Sequence, residues 1–192
     1  MPSEGPNSPA AATGNSGGPG ANNWSDPTNC FASDDSRATV VLAPSDSSRF
    51  LKATSFGFAV PGGATIDGIA VEIERSCSLV SDTISDAAVQ IVKGGVAGGD
   101  DKSAAGNWPS LEAYRSYGGV ADLWGLTWTA ADVNDAGFGA AIAAQGGASG
   151  GTARVDHVRV TVYYTEAAAG AKPGVQTVCR RAEQPTDPIF TE

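Results

Sequence analysis

The chain has 192 residues, which is the usual size of one domain. Its formal net charge is −9 and it has no extended run of Lys or Arg, so a direct nucleic-acid partner is not expected. No stretch approaches the roughly 20 apolar residues of a membrane helix, and the first residues lack the pattern of a secretory signal. We therefore expect a protein that is made in the cytoplasm and has no membrane partner.

Apolar residues are concentrated in the middle of the chain. Leu, Ile, Val and Phe number 35, and 30 of them lie between residues 38 and 164. Residues 1–23 are mainly Gly, Pro, Ser, Asn and Ala and cannot repay their ordering entropy by burying themselves, so they are predicted to form an extended arm. Residues 24–165 are predicted to form the domain, and 166–192 a linker and a C-terminal docking tail.

Alternation of apolar and polar residues predicts β-strands in the domain. It is clearest in IDGIAVEIER (66–75) and DHVRVTVYYT (156–165), and Val155 is out of phase with the second series, which predicts a bulge near Asp156 and His157. Shorter strands are predicted at 39–42, 50–58, 88–93, 125–128 and 138–144, and a helix at 129–134 with Thr129 as its N-cap. This pattern predicts an all-β domain, an antiparallel β-sandwich or jelly roll.

The predicted core follows from the same alternation. Glu72 and Glu74 should face solvent, because a register slip of one residue would invert both faces. The residues expected to be buried are Ile69, Val71, Ile73, Val89, Ile91, Val158, Val160 and Val162.

The C-terminal tail and the cysteines are candidates for contacts between subunits. The apolar residues of the tail are expected to dock on another subunit, the alternative being the tail's own domain; they are Val175, Val178, Ile189 and Phe190. Cys30, Cys77 and Cys179 lie far apart and make no CxxC pair, so a structural zinc is not expected. They are either reduced thiols or, in an oxidising medium, disulfide links between subunits or arms.

No group of residues predicts catalysis. His157 is the only histidine, and its neighbour Asp156 should point to the opposite face of the strand unless the bulge re-aims one of them, which disfavours a Ser-His-Asp relay. Trp124 and Trp128 are expected to pack in the core or at a sheet edge, and the alternative is a surface platform for stacking sugars. We expect no enzyme, no cofactor and no metal site.

Four segments resemble a family of β-sandwich proteins found among the structural genes of tailed bacteriophages. They are GANNWSDPTNCFASDD (20–35), FGFAVPGGATIDGIAVEIER (56–75), DLWGLTWTAADVNDAGFGAAIAA (122–144) and VDHVRVTVYY (155–164). The resemblance implies a non-enzymatic virion component, such as a capsid decoration, neck or tail-associated protein, whose partners are other virion proteins and copies of itself. The alternative is a carbohydrate- or host-surface-binding module of a phage fibre.

Overall fold

Two antiparallel five-stranded sheets pack face to face in the computed structural model, which describes residues 1–167. The strands are β1 (Ser3–Asn7), β2 (Ala11–Ser16), β3 (Ala38–Leu42), β4 (Phe50–Thr54), β5 (Thr65–Cys77), β6 (Ile84–Lys93), β7 (Val96–Gly98), β8 (Ala113–Gly119), β9 (Gly139–Gly146) and β10 (Gly151–Thr165). The front sheet has the order β1-β10-β5-β8, and β3 also pairs with β10. The back sheet has the order β2-β4-β9-β6-β7. The predicted antiparallel β-sandwich is confirmed.

The long strands β5 and β10 form the centre of the front sheet, and Val71 pairs with Val160 in their register. All eight residues predicted for the core are at most 2% exposed. Glu72 and Glu74 are only partly buried and alternate with these core residues, so the predicted register is confirmed. A fully buried aliphatic side chain of this kind contributes roughly 1.5–3 kcal/mol relative to an exposed one.

The shorter elements agree with the sequence in part. The helix α1 (Ala130–Asn134) is capped by Thr129, whose side chain and that of Asp132 form a capping box, as the sequence predicted in outline. The strand predicted at 50–58 ends at Thr54, and 125–128 is not a strand. There Trp124 and Gly125 have φ values of 57° and 69°, so the backbone turns instead of extending. The short β7 and the weakly patterned β8 were not predicted.

The N-terminal segment differs from the predicted arm, because it is part of the sandwich. β1 pairs with β10 in the front sheet and β2 pairs with β4 in the back sheet, so the first 16 residues supply an edge strand to each sheet. Backbone hydrogen bonds to an existing edge stabilise a segment that has few apolar side chains of its own. A Cβ on Gly14 would lie 2.5 Å from the Trp24 carbonyl oxygen, so this close approach of the backbone requires glycine.

The C-terminal docking residues Val175, Val178, Ile189 and Phe190 lie outside the described residues, so their predicted role stays a prediction. Within residues 1–167, every helix is too short or too polar to cross a lipid bilayer.

Candidate functional site

The outer face of the front sheet carries a connected group of polar side chains. The register of β8, β5 and β10 places Tyr114, Glu74 and His157 in one row across the strands, and Ser116, Glu72 and Arg159 in the next row. This face is where the sequence predicted solvent-facing residues, but several of its polar groups are covered by the loop that precedes β3.

The predicted bulge in β10 builds the centre of this face and is confirmed. The register with β5 shifts between Val155 and His157, which leaves Asp156 as the additional residue. β1 and β3 pair with different halves of β10, and Phe31 forms an isolated bridge to His157 in the gap between them. Because the loop from Phe31 crosses here, Asp156 and His157 are only 2% and 8% exposed.

His157 is held by two hydroxyl groups. Its Nε2 atom lies 2.9 Å from Ser8 Oγ, and its Nδ1 atom lies 2.9 Å from Tyr114 Oη. Burial, with a smaller contribution from the positive charge of Arg159, lowers the pKa of His157. A neutral imidazole has one donor and one acceptor nitrogen, and a hydroxyl can satisfy either. The ring is therefore satisfied without a carboxylate.

Asp156 is satisfied less well than its neighbour. One carboxylate oxygen, Oδ2, accepts a hydrogen bond of 3.3 Å from the backbone N–H of Asp35. The other, Oδ1, is buried and has no hydrogen-bond partner among the described residues. Burial, followed by the negative charges of Glu112 and Glu74, raises the pKa of Asp156 to about 6. The site thus contains a carboxylate whose charge is incompletely compensated.

Two further carboxylates lie beside Asp156. We use the name acidic cluster for Asp35, Glu112 and Asp156, each of which brings one carboxylate oxygen to within 4.8 Å of the others. Arg37 forms ion pairs with Asp35 and Glu112, reaching from the start of β3 toward the start of β8. The hydrogen bond from Arg37 lowers the pKa of Glu112. Among residues 1–167, these three carboxylates form the group on this face that could hold a metal ion.

Arg159 connects the two rows of the face. Its guanidinium donates to both oxygens of Glu72, at 2.9 and 3.1 Å, and lies 4.1 Å from the centre of the Tyr114 ring. The hydrogen bond to Glu72 raises the pKa of Arg159, so the guanidinium stays charged and the hydrogen bonds to Glu72 are charge-assisted. This arrangement fixes Tyr114, which in turn fixes His157.

The geometry does not form the Ser-His-Asp relay considered from the sequence. Ser8 contacts His157, but Tyr114 occupies the nitrogen where a relay needs a carboxylate. The bulge places Asp156 and His157 close together, yet Asp156 Oδ2 accepts from the backbone of Asp35 instead. In the described part of the chain, two open clefts lie elsewhere, beside Trp24 and beside Phe50.

The two tryptophans proposed as surface aromatics are not exposed platforms. Trp124 is fully buried and its Nε1 donates to the carbonyl oxygen of Ile69 at 3.0 Å. The prediction that Trp124 could belong to a surface platform is therefore wrong. Trp128 is half-buried, lies edge-on to Phe138 at 5.4 Å and is covered by Lys93 at 5.2 Å. Both follow the core and edge packing that the sequence favoured.

Two of the three cysteines are buried thiols. Cys30 and Cys77 are 0% and 2% exposed and are not in a disulfide. Burial raises the pKa of Cys30 to about 12, and burial followed by the charge of Asp82 raises the pKa of Cys77. Neither is therefore a reactive thiolate on the surface, which disfavours the predicted links through these two residues. Cys179 lies outside the described residues.

The acidic cluster was missed by sequence reasoning. Its members belong to three distant segments, and Asp35 and Asp156 are 121 residues apart. The sequence feature that pointed to this part of the sheet was the phase break at Val155. It predicted the bulge but not the carboxylates that lie beside it.

Neither a known protein family nor a curated protein matches this sequence. Two solved structures are similar in fold. One, described as "CBM4 structure and function", has a TM-score of 0.39 and 15% identity and covers 78% of this chain and 91% of its own. The other is the second N-terminal cellulose-binding domain of β-1,4-glucanase C from Cellulomonas fimi, with a TM-score of 0.42, 19% identity, and coverage of 85% and 100%. These similarities concern the β-sandwich fold and extend no further.

Proposed function

We propose that this chain is a non-catalytic β-sandwich module of a tailed-phage particle and that it acts by binding through its outer surfaces. The resemblance of the four segments supports the phage setting. In the fold these segments supply the strands β5, β9 and β10 and the packing between them, for example the T-shaped contact of Phe58 and Phe138 at 5.6 Å. The residues that carry the resemblance are thus residues that specify the sandwich.

The observation that carries the non-catalytic part of this proposal is the environment of His157. Both ring nitrogens contact hydroxyls at 2.9 Å, one from Ser8 directly after β1 and one from Tyr114 in β8. A general base needs a free nitrogen directed at a substrate and a partner that stabilises its charged form. Neither nitrogen of His157 is free, and its lowered pKa keeps the ring neutral despite the opposing charges of Glu74 and Glu72.

Purified particles test the phage setting directly. Antibodies against the recombinant chain and mass spectrometry should detect it in gradient-purified virions of a phage that encodes it, at a stoichiometry above one copy per particle. A chain found only in the lysate supernatant, and never in particles, would contradict the proposal.

Glycan binding is the second candidate function, and the front sheet supplies its observation. Tyr163 is half-buried on β10 and pairs across the strands with Gly68, whose Cβ position is filled by the backbone of Gly119 and Val120. On the same face, beyond the row of Thr161 and Ala70, lie the Arg159–Glu72 ion pair and Ser116. An aromatic ring beside planar polar groups is the chemistry that recognises sugars, by stacking and by hydrogen bonds to hydroxyls.

A glycan array can decide between these functions. We expect the wild-type chain to bind host-surface glycans and Tyr163→Ala to bind them at least tenfold more weakly. Gln145→Ala, which changes an exposed residue on the back sheet, is the control and should bind as the wild type does. Equal binding by all three proteins, or no binding at all, would contradict glycan binding at this face. The role as a structural component of the particle would then be the remaining proposal.

A further inference from the structure

We propose that the acidic cluster of Asp35, Glu112 and Asp156 is a calcium site that stabilises the outer face of the front sheet. The site goes beyond the proposed function, since it would serve a virion component and a glycan-binding module equally. Its ligands come from the loop before β3, the residue before β8 and the bulge of β10. A cation there would hold three separate segments together.

The spacing of the carboxylates fits calcium. One oxygen from each residue lies within 4.8 Å of the other two. Calcium takes oxygen ligands at about 2.3–2.6 Å, so two of its ligands can be up to roughly 5 Å apart, and its coordination number of 6–8 leaves positions for backbone oxygens and water. Asp35 is exposed, so water can reach the site.

The buried oxygen of Asp156 is the independent sign of a missing partner. Asp156 is 2% exposed, and its Oδ1 has no hydrogen-bond partner in the described residues. A buried carboxylate oxygen without a partner is costly, and buried charges are normally paired or coordinate a metal. Glu74, the cross-strand neighbour of His157, also has one buried oxygen, Oε2, without a partner.

The charge balance points in the same direction. Three carboxylates and the single guanidinium of Arg37 carry a formal charge of about −2. Arg37 compensates Asp35 and Glu112 but makes no hydrogen bond to Asp156. A divalent cation would neutralise the remainder and supply the partner that Asp156 Oδ1 lacks.

Calcium is preferred over magnesium and over a transition metal. All three side chains are carboxylates, the ligands of hard cations, and the site contains no cysteine or histidine ligand. Magnesium requires near-ideal octahedral geometry at about 2.0–2.1 Å and gives up its water reluctantly. A site assembled from three segments with an arginine beside it suits the more adaptable calcium ion.

The full chain, purified in EDTA and dialysed free of it, is then titrated with calcium chloride by calorimetry and followed in thermal melts. We expect one calcium per chain and a rise in melting temperature of about 5 °C or more at a hundredfold excess over the dissociation constant. Magnesium chloride at the same concentration should give less than half of that rise.

Asp156→Asn and Glu112→Gln should each abolish calcium binding and the thermal shift. Asp46→Asn, an exposed aspartate outside the cluster, is the matched control and should respond as the wild type does. If one cluster variant fails to fold, the other decides. An absent calcium response in the wild type, an equal response to magnesium, or a full response in a folded cluster variant would overturn the assignment.

Discussion

Two groups of charged residues in this sandwich differ in how well their buried charges are compensated. Inside the sandwich, Arg75 from the front sheet and Asp86 from the back sheet form an ion pair at 3.1 Å, with side chains 6% and 0% exposed. Asp86 also accepts hydrogen bonds from Trp108 Nε1 at 2.8 Å, Tyr117 Oη at 3.0 Å and the backbone N–H of Ala104 at 2.9 Å. The inner pair is electrically balanced and its carboxylate is fully partnered, whereas Nε of Arg75 has no hydrogen-bond partner in the described residues.

The acidic cluster on the outer face lacks this balance. It has three carboxylates for one guanidinium, and Asp156 Oδ1 is buried without a partner. The comparison teaches that depth alone does not decide whether a charge is tolerated, since the deeper Asp86 is the better satisfied of the two. Within the described residues, the outer cluster therefore has more carboxylates than cationic groups paired with them.

The largest effect is expected at the inner pair. Asp86→Ala removes the carboxylate that pairs with Arg75 and leaves the Trp108 and Tyr117 donors without their acceptor. Breaking a buried pair by removing one partner costs about 3–5 kcal/mol. Urea unfolding should show this loss, whereas the exposed Asp46→Ala should stay within about 0.5 kcal/mol. A loss below about 1 kcal/mol for Asp86→Ala would break the comparison.

A smaller effect of opposite sign is expected for Asp156→Asn without calcium. The pKa of Asp156 is raised to about 6 in the folded chain, against roughly 3.9 when unfolded. The stability that the protonated form contributes is present below about pH 4 and is lost as the pH rises through about 6. At pH 7 the variant should therefore be more stable than the wild type by on the order of 2 kcal/mol.

Thermal melts in EDTA from pH 4 to pH 7 measure this difference. The variant's advantage should grow across that range, and taking the difference between the two proteins removes the contribution of His157, whose lowered pKa has the opposite sign. An advantage independent of pH would mean that Asp156 carries no uncompensated charge.

The sequence predicted the sandwich better than it predicted either polar group. Alternation of apolar and polar residues identified β5 and β10, because one face of each strand is buried in the core and the other is more exposed. The phase break at Val155 located the bulge. The N-terminal strands were missed because backbone pairing to an edge leaves little trace in side-chain pattern. The pairing of Arg75 with Asp86 joins two sheets, and local periodicity contains no information about contacts of that kind.

A moderate effect is expected for His157→Asn. The variant loses the contacts to Ser8 and Tyr114, and a neutral hydrogen bond contributes about 0.5–1.5 kcal/mol, so a loss of roughly 1–2 kcal/mol is expected. Tyr114→Phe, which removes one of the two contacts, should cost about half as much. Particle incorporation and glycan binding should be unchanged. Discovery of a hydrolytic activity that His157→Asn abolishes would instead make this histidine catalytic.

The smallest effect on stability, and the sharpest test of the charge imbalance, is expected for Arg37→Gln. Arg37 is about a quarter exposed and Asp35 is largely exposed, so in EDTA the loss should be at most about 1 kcal/mol. Removing the guanidinium changes the local charge from about −2 to about −3, which should strengthen calcium binding and enlarge the calcium-induced rise in melting temperature. Lys102→Gln is the matched control, because Lys102 is similarly exposed and forms its ion pairs with Asp100 and Asp122, which are not members of the cluster. It should lose comparable stability and leave the calcium response unchanged. A calcium response in Arg37→Gln no larger than that of the wild type would show that Arg37 already balances the cluster, and the contrast with the inner pair would then disappear.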